Sequence, residues 1–189
     1  MLVLTSRYAS VLSWICEIHA DQRRKFNQDP YISHLQRVRG MVLEWAETED
    51  EALAALLHDA AEDCGGQAML DEIQRRYGER VAKWVGQCSD SLTQDPTKKS
   101  PWRERKEAHI AHARTAGLEV RRIMLCDKID NLRGIVARFE QDGDAVFSYF
   151  RGGREISWYF RSMYEVLTPG QPAILTREMK RLVEELEKF

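Results

Sequence analysis

A chain of 189 residues has room for one compact domain with a sizeable core and is short for two, since single domains run to about 100–200 residues. With 43% hydrophobic and 31% charged residues it lies within the globular range and outside the compositions that stay disordered. Lys plus Arg number 28 against 30 for Asp plus Glu, and the formal charge of −2 excludes a strong field for capturing nucleic acid or an anionic membrane.

The first residues supply too few apolar positions for a signal-peptide core, and no later run approaches the roughly 20 residues of a membrane span, so the expected location is cytoplasmic. Cys16, Cys64, Cys88 and Cys126 lie far apart with no C-x-x-C pair, which fits reduced packing residues better than a zinc ribbon or a disulfide framework. No repeat, low-complexity stretch or linker interrupts the chain, and residues 1–189 are expected to form a single domain.

Apolar residues recur at three- and four-residue intervals, as in Val11, Leu12, Ile15 and Ile18, while β-type alternation is hard to find. The fold class is therefore all-α, a bundle of about nine or ten helices. A first helix is predicted over Ser6–Ala20. A polar loop, Asp21–Asp29, leads to Pro30, whose fixed φ suits the start of a second helix reaching about Trp45. Thr48 and Glu51 have capping-box spacing ahead of a helix through Cys64 that stops at Gly65-Gly66. Gln67–Tyr77 and Glu79–Ser89 follow as shorter helices, and Asp90–Lys99, rich in Thr, Asp, Ser and Lys, reads as a mobile loop. Helices are then expected over Pro101–Ala116, Glu119–Phe139, Arg154–Leu167 and Ile174–Glu187. The last carries Leu175, Met179, Leu182 and Leu186 on one stripe, with which it should dock on the bundle.

The most informative stretch is Leu56-Leu57-His58-Asp59-Ala60-Ala61-Glu62-Asp63-Cys64, in which four ionisable groups interrupt an Ala- and Leu-rich helix. A buried carboxylate has to be paired, protonated or bound to a metal. On a continuous helix His58 and Glu62 share one face and Asp59 and Asp63 the next, an arc able to surround one ion. Asp127 follows four apolar residues, with Asn131 one turn later, and His34 stands one turn into the second helix. Taken singly, each of these can be a capped or solvated polar residue. Together His34, His58, Asp59 and Asp127 form a set of two imidazoles and two carboxylates from three helices, which suits Mn²⁺ or Fe²⁺, with Zn²⁺ also possible. Glu62 and Asp63 then remain to orient water and take its proton while the ion lowers its pKa. Gln22-Arg23-Arg24-Lys25, in the loop before Pro30, offers cations for phosphates. The mixed signs of Arg103-Glu104-Arg105-Lys106 fit a solvated helix face better.

His34, His58-Asp59-x-x-Glu62-Asp63 and Asp127, in this order, resemble the HD-domain phosphohydrolases. More narrowly, Gln22-Arg23-Arg24-Lys25, Pro30-Tyr31-Ile32-x-His34, the Ser89-Asp90 to Glu104-Arg105-Lys106 stretch and Asp127-Lys128-x-x-Asn131-Leu132-Arg133 are similar to the small alarmone hydrolases. These are stand-alone relatives of the hydrolase domain of Rel/Spo proteins. The resemblance implies removal of the 3′-diphosphate of guanosine tetra- or pentaphosphate, yielding GDP or GTP and pyrophosphate. It implies one Mn²⁺ on His34, His58, Asp59 and Asp127, with Glu62 and Asp63 handling the attacking water. Arg24 and Lys25 would receive phosphates, and Asn131 and Tyr159, with Arg154 close by, would meet the nucleotide. Departures are the missing glycines around Asp21 and Asn27-Gln28-Asp29, Leu35 after His34 where the family usually has Pro, and Glu155 where an Arg is expected one turn before Tyr159. They bear on substrate contacts more than on ligands. Adenosine alarmones or NADPH are the alternative substrates of the same chemistry, and a non-catalytic nucleotide sensor is the alternative of a different class. In each case the partner is a small-molecule nucleotide, with no nucleic acid and no membrane.

Overall fold

In the computed structural model, which describes residues 2–25 and 28–189, most of the described residues are helical. Among the described residues there is no strand, only an isolated bridge between Arg23 and Pro30. The all-α expectation holds, with ten α-helices among those residues. Internal packing divides the chain into two units, Met1–Arg24 with Asp29–Ser100, and Lys25–Gln28 with Pro101–Phe189.

The first unit contains α1 (Ser6–Ile18), α2 (Ile32–Leu43), α3 (Glu49–Leu57), α4 (Ala60–Cys64), α5 (Gln67–Tyr77) and α6 (Glu79–Cys88). Its centre is α3, where Ala52, Leu53, Ala54, Ala55, Leu56 and Leu57 are all fully buried. A helix apolar on every side must be surrounded, and α3 packs against α1, α2 and α6, its alanines letting neighbouring backbones come close. The predicted capping box forms at its start. The Glu51 carboxylate accepts from the backbone N–H of Thr48 at 3.2 Å and from that of Glu47 at 2.9 Å, which satisfies amides the first turn leaves open. Glu49, one residue into α3, accepts from both the N–H and the hydroxyl of Thr5, the residue that caps α1.

The continuous helix expected through Cys64 is instead broken. After Leu57 the helix gives way to a two-residue turn at His58-Asp59, where both residues stay in the right-handed region but Asp59 drifts to φ −96° and ψ −8°, and the chain resumes as the single turn of α4. Gly65 (φ +152°) and Gly66 (φ +60°) end α4 as predicted, with the Gly66 N–H donating to the Ala61 carbonyl at 2.8 Å. The stretch read as a mobile loop holds a 3₁₀ turn over Pro96–Lys98 and is tied to α4. The Gln94 amide donates to the Glu62 carbonyl at 3.1 Å, and the Leu92 carbonyl sits over Gly66, where a Cβ would come within 2.3 Å of it.

The second unit contains α7 (Trp102–Thr115), α8 (Leu118–Asp142), 3₁₀ turns at Gly143–Tyr149 and Gly153–Glu155, α9 (Ile156–Leu167) and α10 (Ala173–Leu186). The long α8 buries Ile123, Leu125, Ile129 and Leu132. The stripe of Leu175, Met179, Leu182 and Leu186 docks α10 against α8 and α9 as expected. Helix α8 runs past the predicted Phe139 to Gly143, whose φ of +59° forms the stop. Among the described residues no helix is long and apolar enough to cross a membrane.

Candidate active site

The site lies at the turn between α3 and α4. At the break His58 Nε2 lies 3.0 Å from Asp59 Oδ2. From α2, His34 brings its Nε2 to 3.3 Å from His58 Nε2 and 3.4 Å from Asp59 Oδ2. The three donor atoms lie within 4.8 Å of one another and could hold a metal ion. His34 is fully buried and His58 is 3% exposed, whereas the Asp59 side chain keeps 23% of its surface open.

The protonation pattern fits a cation. His58 Nδ1 is 2.9 Å from the Ala55 carbonyl, which can only accept, so Nδ1 carries a hydrogen and Nε2 is the ring nitrogen left to face Asp59. With the ring neutral, the Nε2 lone pair and a carboxylate oxygen 3.0 Å apart would need a positive charge between them. A divalent metal ion would supply that charge, and the backbone bond on the far ring nitrogen is the usual means of fixing a ligating imidazole. Asp59 Oδ2 also accepts from the Tyr31 hydroxyl at 2.6 Å.

On α4, one turn further, Glu62 Oε2 accepts from the Asp90 backbone N–H at 3.1 Å and Asp63 Oδ2 from the Gln22 side-chain amide at 2.7 Å. Asp63 is exposed, yet the protein packed around its carboxyl withdraws enough water to push it above the usual carboxylate range. The Asp59 charge adds to the rise, and the Gln22 hydrogen bond opposes it. A carboxylate with a raised pKa is a stronger base for a proton leaving water. Burial, with the Asp63 and Asp59 charges, lifts the neighbouring Cys64 thiol to about 11. The Arg24 guanidinium lies 5.9 Å from the centre of the Tyr31 ring. Lys25 is exposed, and Phe26 and Asn27 of the loop after it lie outside the described residues.

The remaining candidates belong to the second unit. Asp127 is buried in α8 and receives the Lys128 ammonium and the Asn131 amide, each at 2.5 Å, one on each carboxylate oxygen. The Tyr159 hydroxyl is 3.3 Å from His109 Nδ1, and the Lys106 ammonium stands 4.7 Å from the centre of its ring. Tyr159 itself is buried, packed against Trp102 and Phe160. Arg154 is exposed and engaged by Asp144, by the Phe189 carbonyl and by the Phe147 ring.

Sequence reasoning missed Tyr31, Gln22 and His19 as parts of the site. Tyr31 stood beside His34 in the quoted motif, but nothing local says that its hydroxyl reaches a residue 28 positions away.

The His58-Asp59 pair with His34 beside it forms an imidazole–imidazole–carboxylate cluster. Residues 12–156 match the HD domain family, and the chain belongs to it. Within that family it groups with the alarmone hydrolases. Guanosine-3′,5′-bis(diphosphate) 3′-pyrophosphohydrolase MESH1 of Drosophila melanogaster is 31% identical over 134 residues, covering 69% of this chain and 70% of the relative. The Xenopus tropicalis protein of the same name is 30% identical over 161 residues, covering 82% and 85%. A metazoan ortholog of SpoT that hydrolyses ppGpp shares the fold, with a TM-score of 0.76 over 97% of each chain at 23% identity. A crystal structure of a Listeria monocytogenes protein matches with a TM-score of 0.67 and 28% identity over 82% of this chain and 99% of that one.

Proposed function

We infer that this protein is a metal-dependent guanosine-3′,5′-bis(diphosphate) 3′-pyrophosphohydrolase, which hydrolyses (p)ppGpp to GDP or GTP and pyrophosphate. The observation that carries the reading is the convergence of His34, His58 and Asp59 at the α3–α4 break, with Glu62 and Asp63 one turn beyond. The names of the relatives supply the substrate. Because the family match runs through both units, we take residues 1–189 as one HD-type phosphohydrolase domain.

His34, His58 and Asp59 would hold the ion, and Asp127, a buried carboxylate of the same ligand type, would serve as the fourth ligand. Mixed imidazole and carboxylate donors without a thiolate favour Mn²⁺, with Fe²⁺ or Zn²⁺ as substitutes. The ion supplies Lewis acidity, lowering the pKa of water and offsetting charge on phosphoryl oxygens. Glu62 and Asp63 orient the attacking water and accept its proton. As the new P–O bond forms, the bond from phosphorus to the ribose 3′-oxygen breaks, pyrophosphate departs, and the 3′-oxygen takes up a proton. Arg24 and Lys25 neutralise phosphate charge, while Asn131 and Tyr159 meet the nucleotide. Arg154 joins them by exchanging Asp144 for phosphate. The setting is cytoplasmic, with a small nucleotide as partner rather than nucleic acid or membrane.

The test is to incubate the purified chain and Mn²⁺ separately with ppGpp, ppApp and NADPH and to resolve the products by anion exchange. Equal amounts of GDP and pyrophosphate from ppGpp are expected. Faster turnover of ppApp or NADPH would reassign the substrate, and an inert protein with full metal content would make it a sensor.

A further inference from the structure

We propose that Gln22, with its amide turned by His19, is a positioning residue for Asp63. The proposal rests on the reading of Asp63 as a group that takes a proton from water. Gln22 follows α1 and is fixed by its backbone, its N–H donating to the His19 carbonyl at 3.1 Å and its carbonyl accepting from the Tyr31 N–H at 3.0 Å. Its side chain then bridges two functional groups. Nε2 donates to Asp63 Oδ2 at 2.7 Å, and Oε1 lies 2.5 Å from His19 Nδ1.

A carboxamide can turn end for end with almost no change in shape, and only one orientation suits an ionised Asp63. The other would set a carbonyl oxygen against the carboxylate, two acceptors with no hydrogen between them. His19 makes the choice. Because Oε1 only accepts, a hydrogen on His19 Nδ1 holds the oxygen end and leaves the NH₂ end facing Asp63. The His19 ring is itself held, 3% exposed, stacked on Tyr31 with centroids 5.5 Å apart and with Cys64 Sγ 3.7 Å from Nδ1. One hydrogen bond on Oδ2 fixes the rotation of the carboxylate and leaves Oδ1 as the more basic oxygen. Glu62 Oε2 instead accepts from the Asp90 backbone N–H.

The test compares the wild-type chain with Gln22→Met, His19→Asn, His19→Leu and Asp63→Asn. Its readouts are kcat and KM on ppGpp with Mn²⁺, metal content by elemental analysis, and the His19 tautomer by ¹⁵N–¹H NMR. Gln22→Met preserves length and removes the donor, and kcat should fall about tenfold or more with KM and metal content little changed. His19→Asn places an N–H where Nδ1 stood and should keep most of kcat, whereas His19→Leu should match Gln22→Met. A merely structural role would not separate those two His19 variants. Wild-type kcat in Gln22→Met beside a slow Asp63→Asn overturns the proposal alone, and a wild-type kcat in Asp63→Asn removes the reading beneath it as well. The tautomer is read without activity: hydrogen on Nδ1 supports the proposal, and hydrogen on Nε2 alone overturns it.

Discussion

Replacing Tyr31 by Phe removes one hydroxyl from the site, and the structure sets the size of the effect. That hydroxyl donates to Asp59 Oδ2 at 2.6 Å, the same oxygen that lies 3.0 Å from His58 Nε2 and 3.4 Å from His34 Nε2. A hydrogen bond to an ionised acceptor contributes about 1.5–3 kcal/mol where water cannot replace it. Asp59 keeps 23% of its side chain open, so water recovers part of the loss and the lower end of that range, about 1.5 kcal/mol, applies. The bond is made with or without the ion, so its loss is felt through the orientation of Asp59, and Mn²⁺ affinity should fall about tenfold, the lower end of the roughly 10–100-fold cost typical of groups that orient a ligand from behind. The ring itself stays, with its stack on His19 and its contact with His34, so helical content should be unchanged by circular dichroism. Titration of Mn²⁺ against a fluorescent chelator measures the affinity. A folded Tyr31→Phe protein that binds Mn²⁺ within about twofold of wild type would show that Asp59 needs no such support.

His58→Ala and Asp59→Ala should each lose bound metal by elemental analysis and all turnover, while Glu62→Gln keeps its metal and loses about 10²-fold or more in kcat. Asp127→Ala should also lose the metal, and full occupancy in that variant would remove Asp127 from the ligand set. Gly66→Ala puts a Cβ 2.3 Å from the Leu92 carbonyl at a φ of +60°, so urea denaturation should reveal a loss of about 3 kcal/mol, and a loss below about 1 kcal/mol would refute the close approach. In metal-free protein the Cys64 thiol, raised to about 11, stays protonated at neutral pH. Its iodoacetamide reaction should be far slower there than that of an ordinary thiol of pKa about 8.5 and should climb toward pH 11. A rate that levels off near pH 9 would contradict that environment.

The places where prediction and structure part company share a cause. Thr48 with Glu51, Gly65-Gly66 and the α10 stripe act within a few residues, and each reads correctly. The interruption of α3 at His58-Asp59 has no Gly or Pro to announce it. Asp59 there accepts from the Tyr31 hydroxyl, a partner 28 positions away that local sequence does not announce. Asp90–Lys99 has the composition of a free loop, but its tether depends on Glu62 and Gln94 meeting across the fold. Helical periodicity does not announce the 3₁₀ turn at Gly143–Tyr149, although Gly143 signals that α8 stops there and the chain turns.

Helical class, helix ends, and the kinds of ligand and base this protein has to offer follow from the amino-acid order, because periodicity and capping are decided by neighbours a turn or less away. Tertiary structure alone decides that His34 and His58 turn their Nε2 atoms toward one carboxylate, and that Gln22 and Tyr31 reach two different acids. Those meetings are fixed by how α1, α2 and α3 pack, and packing depends on side chains far apart along the chain.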